Sequence, residues 1–400
     1  DPLTVRFTRF PGFSTIGLRK VHCAFQALPI GRLRSLPTLE IPVMGLLNRK
    51  KRAIGLDIGS SSVKLMELEM DSKSDAYRLV SFGMEPLPPE AIVDGAVMNT
   101  GAVVDSIRRL VDKSRVKTKE TVVSISGNSV IIKRINLPLM TMEELEESIQ
   151  WEAEQYIPFD INDVNIDVQL LDDASEDPGQ MEVLLVAARK ELVSEYQSLI
   201  HQAGLKPVVV DVDAFAVANM FQHNYGNMDA SVALVNVGAS NVTIHIVRNG
   251  ISMFTRDIGM GGRQFTEEIQ RTLNISYEDA EKMKVGDSEQ DERAIVPEEI
   301  EQVLVSVGES LATEIQRSLD FYLSTAGDSG LARIYLSGGA ARTPGLARAI
   351  SRQTGLPCEV ADSFARIQIE EREFKEGYLE DVSPQAAVVV GLAMRRQADK

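Results

Sequence analysis

Apolar positions along this chain change period in an ordered way. Ala53-Ile54-Gly55-Leu56-Asp57-Ile58 and Val63-Lys64-Leu65 read as two short strands joined by a turn of Gly59, Ser60, Ser61 and Ser62. A looser copy follows, Ala233-Leu234-Val235-Asn236-Val237 and Val242-Thr243-Ile244, around Gly238, Ala239, Ser240 and Asn241. A third apolar strand, Ile334 to Ser337, enters Gly338-Gly339-Ala340, with Pro344 placed to open a helix. A repeated hairpin predicts two related lobes.

Between the copies the pattern predicts a strand near Tyr77 to Met84 and a helix from Gly101 to Ser114, with Val104, Ile107, Leu110 and Val111 on one face. Strands follow at Thr121 to Ile125 and Ser129 to Leu137, the latter stopped by Pro138, then a Glu-rich helix from Met142 to Tyr156. Val164 to Leu171 and Glu182 to Ala188 alternate like paired strands, and Lys190 to Ala203 reads as a helix ended by Gly204. After the second hairpin come an extended stretch from Ile251 to Gly262, a helix from Arg263 to Leu273, and the segment Ser276 to Lys284. Gly286 to Glu299 is acidic and reads as a mobile connection to a long helix from about Glu301 to Leu323. Val382 to Ala393 reads as a small-residue helix suited to close packing.

The first 43 residues follow neither period. Arg6, Arg9, Arg19, Lys20, Arg32 and Arg34 stand against only Asp1 and Glu40. This segment reads as upstream or disordered sequence, with Met44 opening a short apolar-basic leader, Leu46-Leu47 and Arg49 to Arg52; a basic transit peptide is the rival reading. No run of about 18 apolar residues predicts a membrane-spanning helix.

Composition narrows the function. With 400 residues, 44% apolar and 25% charged, the chain has material for more than one core. A net charge of −16 argues against a general nucleic-acid binder. Cys23 and Cys358 support no disulfide framework, and His22, His201, His223 and His245 show no metal-ligand spacing. A P-loop and a nucleophile elbow are both missing from the sequence.

The chemistry therefore rests on the Gly-rich turns. Turns of glycine and small hydroxyl residues can present N–H and O–H groups to phosphate oxygens, and Asp57 can hold Mg²⁺ through water. Glycines at 338 and 339 would let a purine and its sugar lie against the backbone. Either hairpin alone is as well explained by an ordinary turn; the pair with the third element is stronger.

These three elements resemble the nucleotide-binding signature of the actin, Hsp70 and sugar-kinase superfamily. Gln150-Trp151-Glu152-Ala153-Glu154-Gln155-Tyr156-Ile157-Pro158-Phe159, Val210-Asp211-Val212-Asp213-Ala214-Phe215-Ala216 and Phe254 to Gly262 narrow the likeness to the type IV pilus assembly protein PilM family, over about Lys50 to Arg396. The resemblance implies an α/β, actin-like or ribonuclease H-like two-lobed fold with an inserted 1C subdomain like that of the divisome protein FtsA. It divides the chain into 1–43 (extension), 44–101 (lobe one, 1A), 102–202 (1C), 203–229 (connection), 230–262 (lobe two, 2A), 263–330 (2B), 331–379 (2A, adenosine motif) and 380–400 (C-terminal helix).

The resemblance also implies ATP and Mg²⁺ as cofactors. Their ligands would be Asp57, Gly59, Ser60, Ser61, Ser62, Lys64, Asp211, Asn236, Gly238, Ala239, Ser240, Asn241, Gly261, Gly262, Gly338, Gly339 and Ala340, with Asp57 at the metal. In Ala280-Glu281-Lys282, Glu281 and Lys282 are carried over as nucleotide ligands; a capped surface helix is the alternative. Superfamily hydrolases begin the second hairpin with Asp, whereas Asn236 stands here, so slow or no hydrolysis is expected.

The implied partner is the N-terminal cytoplasmic peptide of PilN, and through it the PilN/PilO complex on the cytoplasmic face of the inner membrane, with pilus motor ATPases and the platform protein as further partners and the oligomeric state open. Strand residues Val130, Ile132 and Arg134, together with Pro158 and Phe159, are candidates for the peptide groove. Trp151 reads either as a core helix end or as part of that surface. An FtsA-like filament-forming ATPase and a small-molecule kinase remain the alternatives, with Asp211 and Asp213 as the acids available to a kinase.

Overall fold

The computed structural model describes residues 53–395 apart from 72–73, 75, 94, 172–178, 286–297, 326–329, 371–373 and 376. The expectations for residues 1–43, the Met44 leader and most of the acidic connection lie outside the described residues.

Strands β1 (Ile54–Ile58), β2 (Ser62–Met70) and β3 (Tyr77–Pro86) form an antiparallel meander. A small hairpin, β4 (Ile92–Val93) and β5 (Ala96–Val97), precedes α1 (Thr100–Ser114), whose Val103, Val104, Ile107 and Leu110 are buried. Asn99 starts α1 by accepting the Ala102 N–H at 3.0 Å. β6 (Glu120–Ile125) then pairs parallel to β1.

The chain next leaves this sheet to build another. β7 (Val130–Pro138), α2 (Met142–Glu154), β8 (Val164–Leu171), β9 (Gln180–Arg189) and α3 (Lys190–Gln202) give a three-stranded sheet in the order β7-β9-β8. Thr141 and Glu144 close a reciprocal cap on α2, with bonds of 2.7 and 3.2 Å. One side of the sheet packs with α2 through Leu145, Ile149 and Ala153; Leu184, Val186 and Ala188 on the other join the core of lobe one. β6 belongs to the first sheet and α1 packs on its β2 and β3, so of the residues after 102 it is β7 that opens the separate three-stranded sheet.

β10 (Lys206–Val212) returns parallel to β6 as the outer strand of the first sheet, and α4 (Asp213–Tyr225) crosses to lobe two. There β11 (Ser231–Val237), β12 (Val242–Arg248) and β13 (Ile251–Ile258) repeat the meander. Helices α5 (Gly262–Leu273), α6 (Tyr277–Val285) and α7 (Glu298–Thr325) follow, then β14 (Leu331–Ser337), α8 (Leu346–Thr354) and β15 (Cys358–Val360). The first sheet runs β10-β6-β1-β2-β3 and the second β15-β14-β11-β12-β13, so the two share one plan. Pro344 does not open α8; Gly345, left-handed at φ 80°, stands before Leu346.

After α9 (Tyr378–Val382), α10 (Ala387–Met394) packs against β1 and α4, with every residue buried. Its small side chains matter sterically. A Cβ on Gly391 would fall 1.8 Å from the Ala216 carbonyl oxygen of α4, and one on Gly55 would fall 2.7 Å from the Val389 carbonyl oxygen. The backbones of α4, α10 and β1 touch directly. No helix among the described residues is long and apolar enough to cross a membrane.

Gly391→Ala is expected to destabilise the chain by about 3 kcal/mol or more, because the clash is with backbone rather than a movable side chain. A thermal melt unchanged from the parent chain would show that α10 does not sit this close to α4.

Candidate functional site

The two hairpin turns are built alike. Gly59 N–H donates to the Ser62 carbonyl at 3.1 Å, and Gly238 N–H donates to the Asn241 carbonyl at 2.9 Å. Register places Asp57 opposite Lys64, whose Nζ lies 2.9 Å from Asp57 Oδ2, with side chains 10% and 11% exposed. Ser60, Ser61 and Ser62 retain exposure at the turn. In the second hairpin Asn236 occupies the place of Asp57, and Ser337 donates to its Oδ1 at 3.3 Å.

Gly238, Ala239, Gly261, Gly262, Gly338 and Ala340 form one patch of lobe two. Gly262 N–H donates to the Gly238 carbonyl and Arg263 N–H to the Ala239 carbonyl, both at 2.8 Å, so the start of α5 is pinned on the hairpin. A Cβ on Gly261 would lie 2.7 Å from either carbonyl oxygen. Gly338 adopts φ 91°, and a Cβ there would lie 2.4 Å from the Val237 carbonyl oxygen. Gly339 faces open space by comparison, its nearest neighbour for a Cβ being Gln385 at 4.0 Å.

Two predicted ligands lie elsewhere. Asp211 is fully buried, its Oδ2 2.8 Å from Arg395 Nε, and so anchors the chain just beyond α10 rather than reaching the turns. Lys282 has a 75% exposed side chain and lies 4.0 Å from Asp279. Lys284 takes its place beside Glu281: its Nζ donates to Glu281 Oε2 at 2.6 Å, to Thr266 Oγ1 at 2.9 Å and to the Gly262 carbonyl at 3.2 Å. Thr266 also donates to Glu281 Oε2. A helix turns adjacent residues about 100° apart, so Glu281 shares its face with the residue three along.

Sequence reasoning passed over two carboxylates as ligands. Asp213, the first residue of α4, has its pKa pushed up to about 6, chiefly by burial and then by the charge of Asp57; the Ser124 and Ser126 hydroxyls act in the opposite sense. Asp257 accepts the Thr243 hydroxyl at 2.6 Å and the Gly127 N–H at 3.0 Å. Burial raises its pKa while those two donors lower it. Gly127 lies in the turn between β6 and β7, so one carboxylate ties the second hairpin's strands to lobe one. A usable signal existed for Asp213, an acid directly after an apolar strand; Asp257 had none beyond its motif.

His245 makes a second tie. Its Nδ1 lies 2.9 Å from the Ala214 carbonyl, which can only accept, so Nδ1 carries the proton and Nε2 accepts from Ser252 at 2.9 Å. Burial lowers its pKa to about 4, keeping it neutral.

The donors fit a polyphosphate better than a bare metal. Ser240 Oγ on the second turn is buried without a hydrogen-bond partner, and Lys64 supplies a cation. Among the described residues no group of three His, Cys, Asp or Glu side chains could hold a metal.

The peptide-groove candidates disperse. Val130 and Ile132 line a cavity of about 60 Å³ shared with Thr255, Arg256 and Asp257 of lobe two. Arg134 is held by both Glu182 oxygens at 2.6 Å and reaches Met253 Sδ at 3.0 Å. Phe159 lies 4.4 Å beneath the Arg189 guanidinium, while Pro158 is exposed. Trp151 is 77% exposed, which removes the core reading.

Comparison with known proteins adds independent findings. A family model described as "Type IV pilus assembly protein PilM" matches residues 55–397. A solved structure, "PilM-PilN type IV pilus biogenesis complex", is 29% identical with a TM-score of 0.76, covering 86% of this chain and 98% of that one. The cell division protein FtsA of Bacillus subtilis (strain 168) is 25% identical over 261 residues, 60% of this chain and 58% of the relative, so the match spans little more than half of that protein. The ethanolamine utilization protein EutJ from Carboxydothermus hydrogenoformans, 15% identical with a TM-score of 0.53 over 86% of this chain and 89% of that one, shares the fold.

Asp213 also sets a pH dependence. Its raised folded-state pKa means that ionisation costs stability: the cost is absent below about pH 4, grows as pH rises towards 6 and is complete at pH 7. Asp213→Asn is therefore expected to stabilise the chain at pH 7 by about 1–2 kcal/mol and to have no effect near pH 4. Equal effects in urea melts at both pH values would place Asp213 in ordinary solvent.

Proposed function

The chain belongs to the type IV pilus assembly protein PilM family and has its two-lobed actin-like fold, and from that premise we propose that it is an ATP-binding scaffold that holds the N-terminal cytoplasmic peptide of PilN. The observation that carries the nucleotide half is the pair of like turns, one bearing the Asp57–Lys64 pair and the other packed on the Gly338 turn, where Ala340 N–H donates to the Val237 carbonyl at 3.0 Å. The partner half is supported by the likeness to a PilM–PilN complex. Through PilN, the protein would sit at the cytoplasmic face of the inner membrane beside PilO, with the pilus motors and platform protein within reach.

Mg²⁺ with ATP would supply the charge and the phosphate oxygens around which both lobes can close. Lys64, now paired with Asp57, is placed to turn towards phosphate, leaving Asp57 to hold the metal's water shell. Glu281 and Lys284, rather than Lys282, flank the Gly338–Ala340 side where a ribose and purine fit. Asn236 can orient water through its carbonyl but cannot take a proton. Asp213, with a pKa of about 6, is the cleft carboxylate suited to that task, so residual hydrolysis is expected to be slow and to fall as Asp213 is protonated.

A ligand shifts lobe arrangement only through different affinity for each, so nucleotide and peptide should alter each other's affinity by the same factor. Calorimetric titration of this chain with the cognate PilN peptide, with and without Mg-ATP and alongside phosphate release, tests the proposal. Micromolar or tighter peptide binding with little turnover is the expected result; rapid turnover without peptide binding would move the protein to an enzyme class.

Asp57→Ala is expected to weaken Mg-ATP binding at least about tenfold with the fold retained, since a charge-assisted contact of about 1.5–3 kcal/mol is lost. Unchanged affinity would remove Asp57 from the site. Asn236→Asp should raise phosphate release; no rise would mean the amide is not what limits turnover.

A further inference from the structure

The chain carries 58 acidic and 42 basic side chains, yet residues 108–119 reverse that balance. Arg108, Arg109, Lys113, Arg115, Lys117 and Lys119 stand there against Asp112 alone, and all of these cations are exposed. Some of that charge is spent locally. Arg109 and Lys113 neutralise Glu85, at 2.7 and 2.6 Å, and Arg108 pairs with Asp105 at 3.4 Å. Arg115, Lys117, Lys119 and Lys206 have no ion-pair partner among the described residues.

The fold gathers these four into one rim. α1 ends at Ser114 with Arg115 left-handed at φ 52°, which turns the chain into an extended approach to β6. Exposure then alternates: Arg115, Lys117 and Lys119 face solvent while Val116 and Thr118 are half-buried. Alternate residues of an extended segment share a side at a spacing of about 6–7 Å, so the three cations form a row. Lys206, the first residue of β10, donates its N–H to the Lys119 carbonyl at 2.7 Å and adds a fourth charge at the end of that row. β1 enters the sheet at the same end, since Ile54 pairs with Thr121, and the basic run Arg49-Lys50-Lys51-Arg52 precedes that strand in the sequence. β1, β6 and β10 run parallel, and the Gly59 turn and Asp213 follow the far ends of β1 and β10. The rim therefore lies at the opposite end of the sheet from the first hairpin turn.

We infer that this rim is a docking surface for anionic lipid headgroups. A row of exposed cations matches a flat array of phosphates, and residues 108–119 contain no aromatic side chain on which a nucleobase would stack. With a net charge of −16 the rest of the chain is repelled by the same surface, so the rim also fixes orientation. The choice of a lipid surface rests on the reading above, in which PilN holds the chain at the membrane face. Contact through the rim would leave the first hairpin turn directed away from the bilayer and open to nucleotide.

The test co-sediments the full chain, with no PilN peptide present, with vesicles of phosphatidylcholine alone and of phosphatidylcholine with about a third phosphatidylglycerol. Binding is expected to the mixed vesicles only, and is expected to be lost at about 0.5 M salt, where exposed charges are screened. A cation near such a surface changes partitioning about fivefold, so Lys117→Gln with Lys119→Gln should weaken binding about twentyfold, and Lys117→Glu with Lys119→Glu further still. Circular dichroism checks the folding of both double variants; should the charge-reversed one fail to fold, the neutral one decides. Binding to mixed vesicles that neither pair weakens, or binding of a single-stranded RNA oligonucleotide in preference to vesicles, overturns the rim as a lipid surface. No vesicle binding by a chain that does bind the cognate PilN peptide overturns this inference and leaves the scaffold reading standing. Rim-dependent vesicle binding without peptide binding upholds this inference and overturns the PilN reading.

Discussion

The steric meeting of α4, α10 and β1 is the constraint on which the cleft depends. Gly391 brings α10 onto the backbone of α4, and Gly55 brings β1 onto α10, at separations no Cβ can enter. Such contact leaves little freedom to slide or rotate, because protein interiors are close-packed and neighbouring backbone cannot move as a side chain can. Asp211 and Arg395 fasten the same corner with a buried ion pair, so that position serves the scaffold and not the ligand. The two sheets are thereby joined through α4, which packs on β6 and β10 of the first and on β11 and β12 of the second.

Across that region the electrostatics are unbalanced. Buried Asp213 feels the charges of Asp57 and Asp257, both of which raise its pKa, while Lys64 is engaged by Asp57. Like charges brought together out of water raise each other's pKa, and a bound cation would relieve that repulsion. Asp257 and His245 at the same time bind lobe two to the β6–β7 turn and the start of α4. Were nucleotide bound at these turns as proposed, its site and the lobe position would be linked through a few short contacts.

The inserted sheet sits where it can sense this linkage. β7 abuts lobe two, and α3 packs with α1 and β10 of lobe one.

Much of the fold was legible before any coordinates because strands and amphipathic helices write their burial into residue order. Both hairpins, α1, α2, α3, β8, β9 and the close-packing C-terminal helix lie near where the apolar period places them. α4 was not legible as a helix: it is buried on nearly all sides and so lacks a polar stripe. The turn residues Gly59, Gly238 and Gly338 could be named from sequence, since small residues after an apolar strand carry a local conformational meaning. What only the tertiary structure decided is which groups meet: Asp211 with Arg395, Glu281 with Lys284, and Asp257 with Gly127. Local pattern encodes the direction of burial within an element, whereas pairing between residues tens or hundreds apart depends on how elements pack, which no short window of sequence contains.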